Sequence, residues 1–217
     1  MRASSIPVRL TRDQRKAQTR ERLLAIAKET LLRLGFHAAT LDEIALEAGL
    51  TKGAVYSNFA SKADLFLAVV DARAQERAPR LSRARERATS LEDLARRHAR
   101  AAIADDPDGR WASVLVEAWA AAGDDEQFRA ALLERNRAVN AQIGRHIEEI
   151  ATRSGMEFPY PADTLAQSCG GMLRGLLLQR LLDRARVPNQ IIEDAFAAFV
   201  HGMARPRADH QPDGSTT

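Results

Sequence analysis

The stretch Leu41–Ala60, LDEIALEAGLTKGAVYSNFA, decides the reading of the whole chain. Thr40 precedes it as an N-cap, with Glu43 three residues on in capping-box spacing, and Leu41, Ile44, Ala45 and Ala48 then share one helical face. Gly49 supplies the left-handed backbone that a tight turn needs, and Thr51 caps a second short segment, Lys52 to Asn58. Ala45, Gly49 and Val55 fall at the fifth, ninth and fifteenth positions of the window. That spacing fits a helix-turn-helix: a small residue where two helices cross closely, a glycine at the turn, and an apolar residue facing back into the core. An ordinary αα-hairpin with a glycine turn satisfies the same spacing. The second helix separates the two readings. Its outward set is Lys52, Gly53, Ala54, Tyr56, Ser57 and Asn58, which is small, hydrogen-bonding and basic with no acid, suited to a groove lined by phosphates.

Working outward, 217 residues suffice for one sizeable core or two small ones. With 45% hydrophobic and 28% charged residues the chain reads as folded, and its apolar content is mostly Ala and Leu with 5% aromatics, which favours helices. The expected fold is all-α. Leu23, Leu24, Ala27, Leu31 and Leu34 make a first helix from Thr11 that Gly35 stops, and Ser61 caps a fourth with Leu65, Phe66, Val69 and Val70 inward. Further helices are expected past a break or kink at Pro79, from Ser90 to about Ala104, Trp111 to Ala122, Glu126 to Ser154 and Asp163 to Arg186, with a last one opening near Pro188. DDPDG, 105–109, reads as a turn, and GMEFPYPA, 155–162, as a linker. The expected organisation is a flexible arm over 1–10, a three-helix DNA-binding domain over 11–60, a larger helical ligand-binding and dimerisation domain over 61–204, and a disordered tail over 205–217.

Charge is uneven. Residues 1–62 hold 11 Lys+Arg against 6 Asp+Glu, a net +5, while residues 63–217 hold 21 against 23, a net −2. A polyanion partner for the first quarter and a basic solvated face both account for this. The single cysteine, Cys169, excludes an intramolecular disulfide and a cysteine-based zinc site, and reads as a small buried residue rather than a redox sensor. No apolar leader opens the chain and no run of about 18 uncharged apolar residues occurs, so no membrane contact and a cytoplasmic location are expected. His37, His98, His146, His201 and His210 are scattered, no zinc-protease, phosphate-loop or nucleophile-elbow pattern is present, and Asp105, Asp106 and Asp108 lack EF-hand spacing. Neither an enzyme nor a metal or cofactor site is expected.

At this point the sequence resembles the TetR family of bacterial transcription regulators, over Arg20 to about Val70. The residues that carry the resemblance are Gly35, Phe36, Thr40, Ile44, Ala45, Ala48, Gly49, Leu50, Thr51, Gly53, Val55, Tyr56, Phe59, Ser61, Lys62 and Leu65. The family often has His directly before the Phe, where this chain has Asn58. The resemblance implies that Thr40 and Lys62 meet phosphates at helix N-termini. It implies that Thr51, Lys52, Gly53 and Ala54 sit nearest the base edges, and that Tyr56, Ser57 and Asn58 touch backbone or flanking bases. The N-terminal arm with Arg12, Arg15 and Lys16 would add phosphate or minor-groove contacts. A regulator of this kind is expected to be a homodimer on a palindromic operator of double-stranded DNA, a repressor released by a small-molecule effector that changes the spacing of the two recognition helices, or else a ligand-independent regulator or an activator.

Two features outside the matched residues bear on this, and the resemblance implies a dimer interface for the first of them. Gly171 and Gly175, four residues apart, with Leu173, Leu176, Leu177 and Leu181 and with Ile191, Ile192, Phe196, Phe199 and Val200, make either a four-helix dimer interface or packing within one chain. Trp111, Val114, Leu115, Ala118 and Trp119 form an aromatic-rich helical face, and Asn136 and Asn140 lie one turn apart. Trp111, Leu115, Trp119, Asn136 and Asn140 are therefore the candidate effector residues, with plain core and solvated surface as the alternatives.

Overall fold

Side-chain caps mark where the helices begin. The hydroxyls of Thr11, Thr40, Thr51 and Ser90 and the carboxylate of Asp125 each accept a hydrogen bond from a backbone N–H three residues on, a device that contributes about 1 kcal/mol per helix start. Thr11 and Gln14 complete a reciprocal capping box. The computed structural model describes residues 11–207. Along them run α1 (Arg12–Ala38), α2 (Leu41–Glu47), α3 (Lys52–Tyr56), α4 (Lys62–Arg87), α5 (Leu91–Asp105), α6 (Arg110–Ala122), α7 (Glu126–Arg153), α8 (Ala162–Leu182) and α9 (Asn189–Met203). The fold is all-α apart from a two-residue antiparallel ladder, β1 (Met156–Glu157) with β2 (Arg205–Pro206).

Three expectations change. Pro79 neither breaks nor ends α4. Pro79 and Gln75 are both exposed, so the hydrogen bond that proline cannot make is missing on the exposed side of the helix rather than against the core. The α8 helix stops at Leu182, four residues short of Arg186. The tail does not start at Arg205: Arg205 and Pro206 pair with the 155–162 linker, and the Arg207 N–H donates to the Gly155 carbonyl at 2.9 Å. The expected arm, 1–10, and the rest of the tail lie outside the described residues.

The chain divides into two units, one reaching Val70 and the other starting at Asp71, so the first turns of α4 belong with the first unit rather than beginning the second at residue 61. Burial explains this. Leu65, Phe66 and Val69 are at most 1% exposed, and the Phe66 ring meets Phe36 edge-on at 5.0 Å. In the second unit α5 lies along α9 and α7 along α8, with Leu94, Ile147, Leu165, Cys169, Ile192 and Phe196 in the core. Burial raises the Cys169 thiol to about 12, which keeps it protonated and unreactive. Asp106 holds the start of α6, its two carboxylate oxygens accepting from Trp111 N and Ala112 N at 3.0 and 2.8 Å. Gly109 beside it has φ +73°, and a Cβ there would stand 2.0 Å from the Leu177 carbonyl oxygen, so only glycine allows α6 this close to α8.

His98 is 4% exposed and its Nε2 has no hydrogen-bond partner; burial, with Arg77 and His146 nearby, drives its pKa down to about 3 from an ordinary 6.5. The unfolded chain therefore takes up a proton below pH 6.5 that the folded chain refuses. Stability that is constant above pH 6.5 is lost as pH falls, by about 2 kcal/mol at pH 5 from this group. Thermal melting followed by circular dichroism should show the wild-type midpoint dropping between pH 7 and 5 and a smaller drop in His98→Leu. Equal drops would remove His98 as the cause.

Candidate functional site

In the first unit α2 and α3 make the expected helix-turn-helix. Gly49 turns the chain with φ +62°, and the Leu50 N–H closes the turn on the Ala45 carbonyl at 2.9 Å. Ala45 is 2% exposed and Val55 0%, so the two helices meet through small and β-branched side chains with no gap for water. Phe59, 1% exposed, seats the chain after α3, with the Arg20 guanidinium stacked 4.4 Å above its ring and Arg20 Nη1 donating to the Asn58 carbonyl at 3.1 Å. Sequence reasoning passed over Arg20, because no local pattern tells which of many arginines on α1 will reach a residue 38 positions away.

Two of the three acids of this motif, Asp42 and Glu47, are engaged by basic side chains. Glu47 accepts from the buried Thr30 hydroxyl at 2.6 Å and pairs with Arg33, contacts that together hold its carboxyl below the ordinary range. Asp42 binds the Lys52 ammonium at 2.5 Å, and that hydrogen bond raises the lysine's pKa. Lys52, placed by resemblance near base edges, is thus held by α2 at the rim of the motif, and reaching DNA requires it to exchange Asp42 for a phosphate or a base.

Thr40, Thr51, Lys52, Gly53, Tyr56 and Ser57 are exposed, with Tyr56 at 53%, while Ala54 and Asn58 are half-buried. The Thr40 and Thr51 hydroxyls are engaged as caps. Ser57 Oγ and Asn58 Nδ2 both donate to the Ala54 carbonyl, at 2.9 and 2.8 Å, and Asn58 Oδ1 is enclosed without a partner. Lys62, which the resemblance sets at a phosphate, is engaged within the first unit. Its ammonium donates to the Phe36 and His37 carbonyls at 2.9 and 3.1 Å and lies 4.6 Å from the centre of the Phe36 ring, closing the C-terminal end of α1. Leu46, 80% exposed on α2, is an outward apolar side chain that no sequence signal had marked.

In the second unit the five candidate effector residues lie on two helices in contact, α6 and α7. Trp111 and Leu115 are half-buried and Trp119 is 39% exposed, so these are not closed core. Asn136 is half-buried and Asn140 only 8% exposed, inside rather than solvated. Arginines cover both indoles: the guanidinium carbon of Arg73 is 4.3 Å from the Trp111 ring centre and that of Arg174 is 4.2 Å from the Trp119 ring centre. A separate cleft of about 250 Å³, lined by Arg100, Ile103, Arg180, Asn189 and Glu193 among others, touches none of the five. Of the residues offered for dimer contact or packing within one chain, Leu173, Leu177, Ile192, Phe196 and Val200 are at most 8% exposed within the one chain and pack in its own core. Gly171 and Gly175 stay open, since a Cβ at either meets nothing within 4 Å, and Ile191 is 49% exposed.

Comparison with known proteins bears on both units. Residues 23–69 match the model of bacterial regulatory proteins of the tetR family, and residues 91–205 match that of the C-terminal part of BetI-type transcriptional repressors. The chain is 47% identical over 62 residues to the HTH-type transcriptional activator FasR of Mycolicibacterium smegmatis, covering 29% of this chain and 26% of that protein. It is 43% identical over 54 residues to the HTH-type transcriptional repressor BepR of Brucella suis, covering 25% and 26%. The chain thus spans about a quarter of the length of these curated relatives. A transcriptional regulator of Saccharomonospora viridis, solved in complex with choline, shares the fold over 88% of this chain and all of its own, with TM-score 0.69 and 18% identity.

Gly53 points most directly at an outside contact. It is helical and exposed, and an added Cβ would meet only the Thr51 hydroxyl at 4.0 Å, so nothing inside the protein requires glycine where alanine would favour the helix by about 1 kcal/mol. Gly53→Ala should leave the melting temperature equal or higher while weakening binding to the chain's preferred DNA by about tenfold or more, read by fluorescence anisotropy. Unchanged affinity would show that nothing approaches α3 closely there.

Proposed function

Because the chain belongs to the TetR family of bacterial regulatory proteins and is a DNA-binding transcriptional regulator, we propose that it is a repressor that binds a palindromic operator as a homodimer and releases it when a small molecule occupies the second unit. The observation that carries the DNA part is the outer face of α3, small, hydrogen-bonding and free of acids, on a helix whose back is fully packed. Thr51, Gly53 and Ala54 read base edges, Tyr56, Ser57 and Asn58 touch backbone or flanking bases, and Lys52 joins them once it leaves Asp42. Thr40 contributes at the phosphates. Lys62 acts chiefly by fixing the end of α1 behind α2, with phosphate contact second.

Repression is favoured by the match of residues 91–205 to BetI-type repressors, and ligand response by the choline complex of the S. viridis relative. An effector that switches the protein from 99% to 1% competent must prefer the non-binding form by about 10⁴-fold, about 5.5 kcal/mol, within reach of a ligand that buries apolar surface against α6 and α7. The dimer surface is the open glycine face of α8 with Ile191 of α9, where a second helix can approach closely. No described helix is long and apolar enough to cross a membrane, and the proposed DNA partner is what supports a cytoplasmic location.

Selection of random duplex DNA by the purified full chain at physiological salt tests the reading. The expected product is an inverted repeat with half-sites about one helical turn, roughly 10 base pairs, apart. A single unrepeated half-site would remove the dimer, and salt-sensitive binding without enrichment would reduce the protein to a non-specific DNA binder.

A further inference from the structure

The second unit holds more enclosed positive charge than its own carboxylates satisfy. Arg73, Arg77 and Arg80 of α4 converge on Asp105 at the end of α5: Arg77 Nε stands 3.2 Å from Oδ2, Arg80 Nη2 2.7 Å from Oδ1, and Arg73 Nη2 donates to the backbone carbonyl at 2.9 Å. The two carboxylate contacts are ion pairs without hydrogen-bond alignment. The Nε atoms of Arg77 and Arg80 are sealed from solvent with no acceptor, and neither Asp105 carboxylate oxygen receives an aligned N–H. Asp106 is already committed to the start of α6.

Arg174 of α8 is the outlier. It has the Trp119 ring beneath it and no carboxylate paired with it, and the charge that acts on it, Arg77, repels it. Burial, with that repulsion, holds its pKa down to about 10, far below the usual arginine range. A guanidinium kept half-buried and without a counter-ion costs stability that an incoming anion would return. The same geometry argues against a cation. A quaternary ammonium is held by open aromatic faces, and here a guanidinium, Arg73 or Arg174, already lies over each of Trp111 and Trp119 and would repel it.

We propose that the second unit binds a carboxylate-bearing amphiphile, its carboxylate held by the forks of Arg174 and Arg77 and its apolar body lying along Leu115 and Trp119 of α6. This rests on the reading of the second unit as the effector-binding part. A planar carboxylate matches the guanidinium fork with two parallel hydrogen bonds, and a partly desolvated site makes each charge-assisted bond stronger than in water.

The test titrates the purified full chain with sodium decanoate, 1-decanol and decyltrimethylammonium below their micelle concentrations, following emission from Trp111 and Trp119, the two tryptophans of the chain. Decanoate should bind saturably and at least about tenfold more tightly than either of the others. Arg174→Gln should weaken it by about tenfold or more, and Arg174→Lys, which keeps charge but loses the fork, by less. Arg77→Gln, with melting curves for each variant, gives the same reading should Arg174→Gln fold poorly. Equal binding of the alcohol or the ammonium, decanoate binding indifferent to both substitutions, or no saturable response to decanoate would overturn the proposal. Operator affinity in the same titrations separates the two levels. Decanoate bound through Arg174 with unchanged operator affinity keeps the site and removes the effector role. Operator release by decyltrimethylammonium alone keeps the effector role and removes the anion.

Discussion

A helix of five residues cannot hold itself together in water, because nucleation fixes several residues for each early hydrogen bond. Everything that α3 presents to a partner therefore depends on the burial of Val55 and, just beyond it, Phe59, at 0% and 1% exposure. Those two side chains tie the segment to a core built from Leu23, Ala27 and Leu31 of α1 and Ile44 and Ala45 of α2. The Thr51 cap and the Gly49 turn set where the segment starts, and Arg20 secures its end at the Asn58 carbonyl. With the back fixed in this way, Gly53 and Tyr56 face outward with no packing duty, while Ser57 and Asn58 close the end of the segment on the Ala54 carbonyl.

The two units treat charge in opposite ways. In the first, Glu47 and Asp42 are paired with Arg33 and Lys52, leaving a surface a polyanion can approach. In the second, the α5–α9 contact is closed by ion pairs such as Arg100 with Glu193 and Arg96 with Asp194, while the arginines around Asp105 and Trp119 are left under-satisfied. Surface pairs contribute little to stability, so the first two matter more for what they keep off the outer face than for holding the fold. Unpaired guanidinium groups in a half-buried place, by contrast, are costly unless something answers them.

The helix starts were legible in the sequence because a cap is a local device: Thr40, Thr51, Ser61 and Ser90 act within three residues of themselves. Gly49 and Val55 were legible because their spacing follows from two helices crossing. The sequence was silent wherever a long side chain chose between water, DNA and a distant part of the chain. Lys62 sits at a helix start, where a phosphate contact is natural, yet its four-carbon stem reaches the carbonyls of Phe36 and His37. The convergence of Arg73, Arg77 and Arg80 was equally hidden, since helical spacing put them on one face without saying that Asp105 would end α5 opposite them. Leu173, Leu177, Ile192 and Phe196 show a related limit, because an apolar stripe does not say whose core it enters.

The glycines of α8 carry a cost beyond geometry. Gly170, Gly171 and Gly175 lie in the middle of a 21-residue helix with no atom within 4 Å of where a side chain would begin, and each forgoes about 1 kcal/mol of helix propensity relative to alanine. The weakest backbone in α8 is therefore its centre rather than its ends. Cys169 and Leu173 still tie this stretch to the core on its inner side, so the spare backbone freedom is confined to the outer side of the helix, where Gly170, Gly171 and Gly175 leave no side chain to hold it.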